Sequence, residues 1–439
     1  MKDFIKKAKK QAEQVELYQV ETKETPVSFE NNRLKGIDTR EQRISALRVV
    51  AKGKLGFATT TGTDMDELLE KALATAEFGR PWEVSFPEQT QLQEIKLFHQ
   101  PTADIANREM VEMGQKVLDR LKQHHPDVLA GARVSCREST VRLLNSNGFS
   151  GEYSRSMFWL LGSFELVEGK NLLSAYKGFS TGKLEDQAEK MTDYLEEVLQ
   201  KGRKNVPVSS DSYSVLFTPQ AMGDVITPLL ACADGKAVEK GFSPWKDKIG
   251  QEMFNPHLSL YDDPTIAYGP GSGIFDGEGL PAAATAIIRD GAVNSFLLDL
   301  ATAHNLDMKP TGNGWRSRAT ELPVPTASNV VLSYAHTKPL KEIIGNIKKG
   351  IIVHSLMGAW AGNPYTGQVS GNIDLGFLVE NGEITGRIKD CMLSINAFQS
   401  FKDKIEAASD QQEWGFLFSG ANMLMPYMQF ADVSISAKS

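Results

Sequence analysis

Seven histidines and three cysteines are the side chains of this 439-residue sequence best suited to metal or nucleophilic chemistry. No histidine opens an HExxH, the helical spacing that lets two imidazoles share one zinc ion. His304 and His354 lie in the C-terminal half, each without a second histidine at ligand spacing. A zinc site needs three or four converging ligands, so each reads as a structural side chain. His124-His125 reads as a polar helix end near the negative pole of the helix dipole. Cys136, Cys232 and Cys391 show neither metal-type nor redox-type spacing and read as scattered, reduced thiols.

Two glycine-rich stretches invite chemical readings. Gly178-Phe179-Ser180-Thr181-Gly182 has the form of a G-x-S-x-G nucleophile elbow. The elbow needs a buried parallel strand just before it, and Ser174-Ala175-Tyr176-Lys177 is half polar. Gly269-Pro270-Gly271-Ser272-Gly273 lacks the lysine of a phosphate-binding loop and reads as a tight irregular loop. Asp276 and Glu278, between glycines in Ile274–Gly279, could hold an ion or fix a turn through Asx-type bonds. Asn313, inside Thr311-Gly312-Asn313-Gly314, has the same two readings. These three are the candidate substrate-contacting residues; no catalytic or metal-binding residue is assigned.

The elements that would position them change character along the chain. Phe4, Ile5, Ala8 and Ala12 mark a short amphipathic helix. Thr25–Glu30 and Ile44–Ala58 read as strands, with a hairpin at Gly53. Met65, Leu68, Leu69, Ala72, Leu73 and Ala76 form a helical stripe that Thr63 could cap and that Gly79 and Pro81 end. A second helix spans about Asp104 to His124, where Pro126 stops it. An Asn147-Gly148 hairpin follows, then a third helix from about Leu184 to Leu199. The polar stretch Lys201–Ser210 reads as a domain boundary. Beyond it, short glycine-punctuated strands dominate: Tyr213–Phe217, Ala284–Arg289, Ser295–Asp299, Val330–Ser333, Gly350–His354, Gly376–Val379 and Val433–Ser436. The expected fold is α+β. An N-terminal α/β domain with helices on a sheet (1–205) precedes a mainly β domain with a curled or barrel-like sheet (206–439).

A net charge of −7 argues against nucleic-acid binding, which calls for a basic patch. Met1–Gln14 has no apolar core of a signal peptide, and no stretch approaches the roughly 18 apolar residues of a membrane span. The expected location is cytoplasmic.

The order of the C-terminal pieces resembles the TldD/PmbA family. It runs from Val215-Leu216-Phe217-Thr218-Pro219 through Lys246–Gln251, Asp262-Asp263-Pro264, Phe275–Gly279, Leu297–Asp299 and Met308–Asn313 to Gly376–Ile384. Gly53–Thr59 fits more loosely. The resemblance implies a two-part peptidase acting on unstructured peptides. Its TldD-like branch carries HExxxH on a helix plus a cysteine near the C-terminus, which hold zinc, with the glutamate as general base. Five residues turn an ideal helix through roughly 140°, so that spacing needs a distorted helix. Here the motif position reads Thr227-Pro228-Leu229-Leu230-Ala231-Cys232, and the stretch expected to supply the cysteine reads Trp414–Gly420.

The resemblance therefore implies a PmbA-like (TldE-like) subunit without cofactor of its own. Zinc is expected in a TldD-like partner. The alternatives are a stand-alone homodimer that binds peptides, or an independent hydrolase built on Ser180 or on Cys232, His304 and His354.

Overall fold

The computed structural model describes residues 1–185, 187–416 and 421–437. Two sheets organise them. Alternating apolar residues around Val15, Leu17, Val27 and Phe29 make one long strand, β1 (Gln14–Glu30), the centre of the first sheet. The same sheet holds β2 (Arg33–Ile37), β3 (Arg40–Ala51), β4 (Lys54–Thr60), β5 (Leu129–Asn145), β6 (Ser150–Glu168) and β7 (Asn171–Thr181). The order is β4-β3-β1-β5-β6-β7, with β2 beside β1, and every pairing is antiparallel. Lys52 and Gly53, at φ 52° and 71°, make the expected β3–β4 turn. At the β5–β6 turn Gly148 has φ 101°, and Asn145 Oδ1 accepts from the amides of Asn147 and Phe149.

Helices cover one face of this sheet. α1 (Lys2–Ala8) and α2 (Met65–Ala76) pack on Leu17, Leu47 and Val49; α3 (Asn107–His124) and α4 (Ala188–Gly202) pack on Val27, Val134, Leu160 and Phe164. The stripe Leu68, Leu69, Ala72 and Ala76 faces inward as its spacing predicts. Its cap is not Thr63 but Asp64, whose Oδ1 accepts from the amides of Asp66 and Glu67, both at 3.0 Å. Asp64→Ala should cost about 1 kcal/mol, read as a lower urea midpoint at unchanged slope. α3 starts at Asn107, later than its periodicity suggests, because a separate turn of helix occupies Gln100–Ala103.

After α4 the chain passes through Arg203–Ser210 into β8 (Asp211–Phe217), and a 15-residue helix, α5 (Pro219–Ala233), follows. The second sheet adds β9 (Leu258–Asp262), β10 (Thr285–Arg289), β11 (Asn329–Tyr334), β12 (Lys349–Met357), β13 (Gln368–Glu380), β14 (Cys391–Asn396), β15 (Ile405–Phe416) and β16 (Asn422–Ala437). Strands β16-β14-β13-β12-β8 form a run whose ends meet, since β8 also pairs with β16, and so close a five-stranded barrel. Of the curled or barrel-like sheet expected for this half, the barrel is what these five strands form. Ser295–Asp299 is not a strand. It makes one bridge, Leu297 to Asp234, and then Asp299 caps a short helix, with Oδ1 accepting from Thr302 N at 2.7 Å. No helix among the described residues is long and apolar enough to cross a membrane.

Candidate functional site

The face of the first sheet that carries no helices turns toward the C-terminal half. Along β6 its side chains are Tyr153, Arg155, Met157, Trp159, Leu161 and Ser163; all are half-exposed, whereas Ser156, Phe158, Leu160 and Phe164 opposite are buried. Ten residue steps make this strip about 33 Å long. Neighbouring strands add Gly131, Arg133 and Arg137 from β5, and Tyr176 and Ser180 from β7. A sheet face of aromatic, hydroxyl and guanidinium groups is a poor core and a suitable floor for an extended polar ligand.

Two clefts touch this floor. The first, about 410 Å³, is bounded by Ser163, Tyr176 and Tyr194 on one side and by Gln220, His354 and Asp374 on the other. The second, about 390 Å³, lies between Tyr18, Tyr153 and Arg155 of the sheet and Pro270, Trp315 and Ser328 of the C-terminal loops. At the first cleft Tyr194 Oη and His354 Nδ1 are 2.9 Å apart. Burial holds the His354 pKa down to about 3, with Lys177 and Lys201 acting in the same direction.

Gln220 brings α5 to that cleft. Thr218 caps the helix, accepting from Ala221 N, and Pro219 suits its first turn. Ala221, Met222, Val225, Ile226, Leu229 and Cys232 bury its inner sides in the barrel core, leaving Gln220, Asp224 and Thr227 along the outer side. Asp224 is pushed up to about 6 by burial. Thr227 Oγ1 donates to the Gly223 carbonyl at 2.8 Å, and Pro228 removes a helical N–H donor.

Asp276, Glu278 and Asn313 are placed together but buried, each no more than 1% exposed. Asp276 accepts from the amides of Glu278, Leu280 and Gly314, fixing the Asx-type turn. Asn313 donates to Asp262 at 2.6 Å and accepts from the Thr285 and Thr311 hydroxyls. Glu278 accepts from Leu300 N and from Arg48. All three thus hold loops, and of the three only Asp276 borders a cleft. Glu278 also belongs to a cluster that sequence reading missed. Arg48 forks onto Glu16 at 2.8 and 2.6 Å and reaches Glu278 at 2.9 Å; Arg316 reaches Glu16 at 2.8 Å. Burial opposes the Arg48 charge, but Glu16 and Glu278 outweigh it and raise its pKa. Glu278 is raised by burial, against the pull of Arg48.

The remaining motifs resolve as structure. Ser180 sits inside antiparallel β7, its hydroxyl directed at Met157 Sδ, so no elbow exists. His304 is half-exposed beside Glu83, and His124 and His125 lie beside Glu196 and Glu168 at the end of α3. In the Gly269–Gly273 loop a Cβ on Gly271 would fall 2.2 Å from the Ser328 carbonyl oxygen, which explains that glycine. Trp414–Phe416 belong to β15, and Leu417–Gly420 lie outside the described residues.

Residues 210–437 match the PmbA/TldA metallopeptidase C-terminal domain, and residues 15–76 match domain 1 of the same metallopeptidases. The chain belongs to the PmbA/TldD family. An uncharacterised protein of Methanocaldococcus jannaschii is 25% identical over 424 residues, 95% of this chain and 97% of that one. A metalloprotease of Methanothermobacter thermautotrophicus is 26% identical across 83% of this chain and 81% of its own. TldE from Thermococcus kodakarensis shares the fold at a TM-score of 0.93 with 22% identity, each chain covered completely.

The resemblance drawn from the sequence expects zinc donors on α5, and the residues present there do not fit such an ion. Thr227 is bonded to its own helix, and Pro228 has no donor atom. The Cys232 thiol lies in the apolar core with its pKa pushed up to about 12 by burial. Among the described residues no group of three or more His, Cys, Asp or Glu side chains could hold a metal.

Proposed function

We propose that this chain is the non-catalytic, TldE-like half of a two-subunit zinc peptidase of the cytoplasm, and that it helps hold unstructured peptides for cleavage by a TldD-like partner. The observation that carries this reading is α5. At the position where the zinc-bearing branch is expected to place its ligands and base, the helix offers Thr227, Pro228 and a core-buried Cys232. The polar floor along β6 supports it, since extended peptides need a long strip with hydrogen-bonding groups rather than a deep apolar pocket. The likeness to TldE of Thermococcus kodakarensis supports it at the level of fold.

The test is to purify the chain alone and together with a zinc-bearing TldD-like chain from the same cell. Alone, it should carry less than a trace of zinc and leave an unstructured peptide intact. Together, the two should co-elute and cleave that peptide. Stoichiometric zinc on the isolated chain would overturn the proposal. Failure to associate, with a homodimer that still binds peptide, would favour the stand-alone reading.

A further inference from the structure

The second cleft collects hydrogen-bond donors and has no unengaged carboxylate in its wall. Among the described residues the Arg155 side chain makes no hydrogen bond or ion pair, although it is half-buried. On the other face of the same sheet, Arg142 is paired with both Glu21 and Glu152. The hydroxyls of Tyr18 and Tyr153 likewise have no hydrogen-bond partner among the described residues. The indole N–H of Trp315, which lines the same cleft, is buried and unpartnered. Burial first raises the pKa of both tyrosines, so they remain protonated donors at neutral pH, and the charge of Arg155 acts on both. The one carboxylate at the wall, Asp276, already accepts three backbone amides. The Arg155 guanidinium and the two tyrosine hydroxyls are thus donors at one cavity whose single wall carboxylate is already engaged, which describes a site for an anion.

We propose that this cleft binds a carboxylate, the C-terminal carboxylate of an extended peptide lying along β6. The peptide part rests on the function proposed above. Of the four arginines in the lining, Arg137 and Arg316 are paired with Glu24 and Glu16, and Arg318 lies 4.0 Å from Glu321, so Arg155 leaves one uncompensated charge, which suits a single negative charge better than a phosphate dianion. The apolar surface of Val20, Ile44, Val141 and Pro270 in the same wall suits the side chain of a terminal residue. The cleft is at the Tyr153–Arg155 end of the strip that continues through Met157, Trp159 and Leu161, so a carboxylate held there sets the direction of the peptide on the floor.

Binding of an unstructured pentapeptide to the full chain, measured by calorimetry as the free acid and as its C-terminal amide, with inorganic phosphate as a third probe, tests this. The acid should bind about tenfold or more tightly than the amide, the size of one charge-assisted hydrogen bond. Arg155→Gln should erase the difference and Arg155→Lys restore part of it, while Arg142→Gln leaves it intact. Each variant is checked for an unchanged melting temperature, and the Tyr153→Phe variant, which keeps the ring, should reduce the preference by a smaller factor. Equal binding of acid and amide overturns the carboxylate site and leaves the subunit reading standing. Binding of phosphate but of neither peptide overturns the site and the peptide-holding role together.

Discussion

Arg48→Met should destabilise the chain by about 3–5 kcal/mol, the largest effect expected of any single substitution here. The Arg48 side chain is 1% exposed, and so is that of Glu278; Glu16 is wholly buried. Taking such charges out of water costs nearly as much as their mutual attraction returns, so the intact cluster contributes little net stability. Removing one member is different. Without Arg48, Glu16 keeps only Arg316, and Glu278 keeps only the Leu300 amide. The side chain also stacks over Phe86 at 4.8 Å, a contact that methionine only partly replaces.

The position of the cluster sharpens the prediction. Glu16 and Arg48 are cross-strand partners on β1 and β3, whereas Glu278 and Arg316 lie in loops of the C-terminal half. Arg48 therefore ties the first sheet to a loop of the C-terminal half, and its loss should separate the unfolding of the two halves. Near-ultraviolet circular dichroism in urea should show a lower midpoint and two phases for Arg48→Met. The exposed i,i+4 pair of Arg108 with Glu112 supplies the control, and Arg108→Met should leave the curve unchanged. A single transition within about 1 kcal/mol of the parent would remove the cluster from any account of how the halves are joined. Arg48→Lys should lie between the two, since an ammonium keeps the charge but not the fork onto Glu16.

That cluster also marks where sequence reading ends. α2 was legible because its stripe meets a flat sheet and its ends carry stop signals. The hairpins at Gly53 and Asn147-Gly148 were legible because positive φ needs those residue types. Arg48 and Glu278 are 230 residues apart, and no local pattern marks either as a partner. α5 has apolar residues around most of its circumference, so it shows no stripe; its register came from resemblance to a family. The floor along β6 was hidden for another reason. Tyr153, Arg155, Met157, Trp159 and Leu161 alternate with Ser154, Ser156, Phe158 and Leu160, a mixture in which neither face reads as the core. Only the sheet, with α3 and α4 on one side, decides which set is buried. Asp276 and Asn313 were recognised as glycine-flanked polar residues, and the turn-fixing reading is the one their hydrogen bonds support.

His354→Gln should remove a pH dependence of about 2.7 kcal/mol between pH 7.5 and pH 4.5. The ring lies against Tyr194 and edge-on to Phe377 at 5.2 Å, with Lys177 and Lys201 adding positive charge nearby. In the unfolded chain it takes a proton near pH 6.5; in the folded chain it stays neutral down to about 3. Its contribution is therefore complete above pH 6.5 and falls by about 1.4 kcal/mol per unit below it. It levels off only near pH 3. Part of the ring reaches the first cleft, so water screening makes about 2.7 kcal/mol an upper value. Asp224 and Asp262 work the other way. Burial raises them to about 6 and about 7, so they stabilise the fold as pH falls from those values toward the ordinary carboxylate range. The parent's own pH curve mixes both signs, and the informative quantity is the difference between parent and variant in urea midpoint at each pH. The parent should be the more stable at pH 7.5, and its advantage should shrink steadily below pH 6.5. Parallel curves would mean that the ring takes up its proton in the fold over the same pH range as in the unfolded chain, so that its place beside Tyr194 puts no penalty on the charged form.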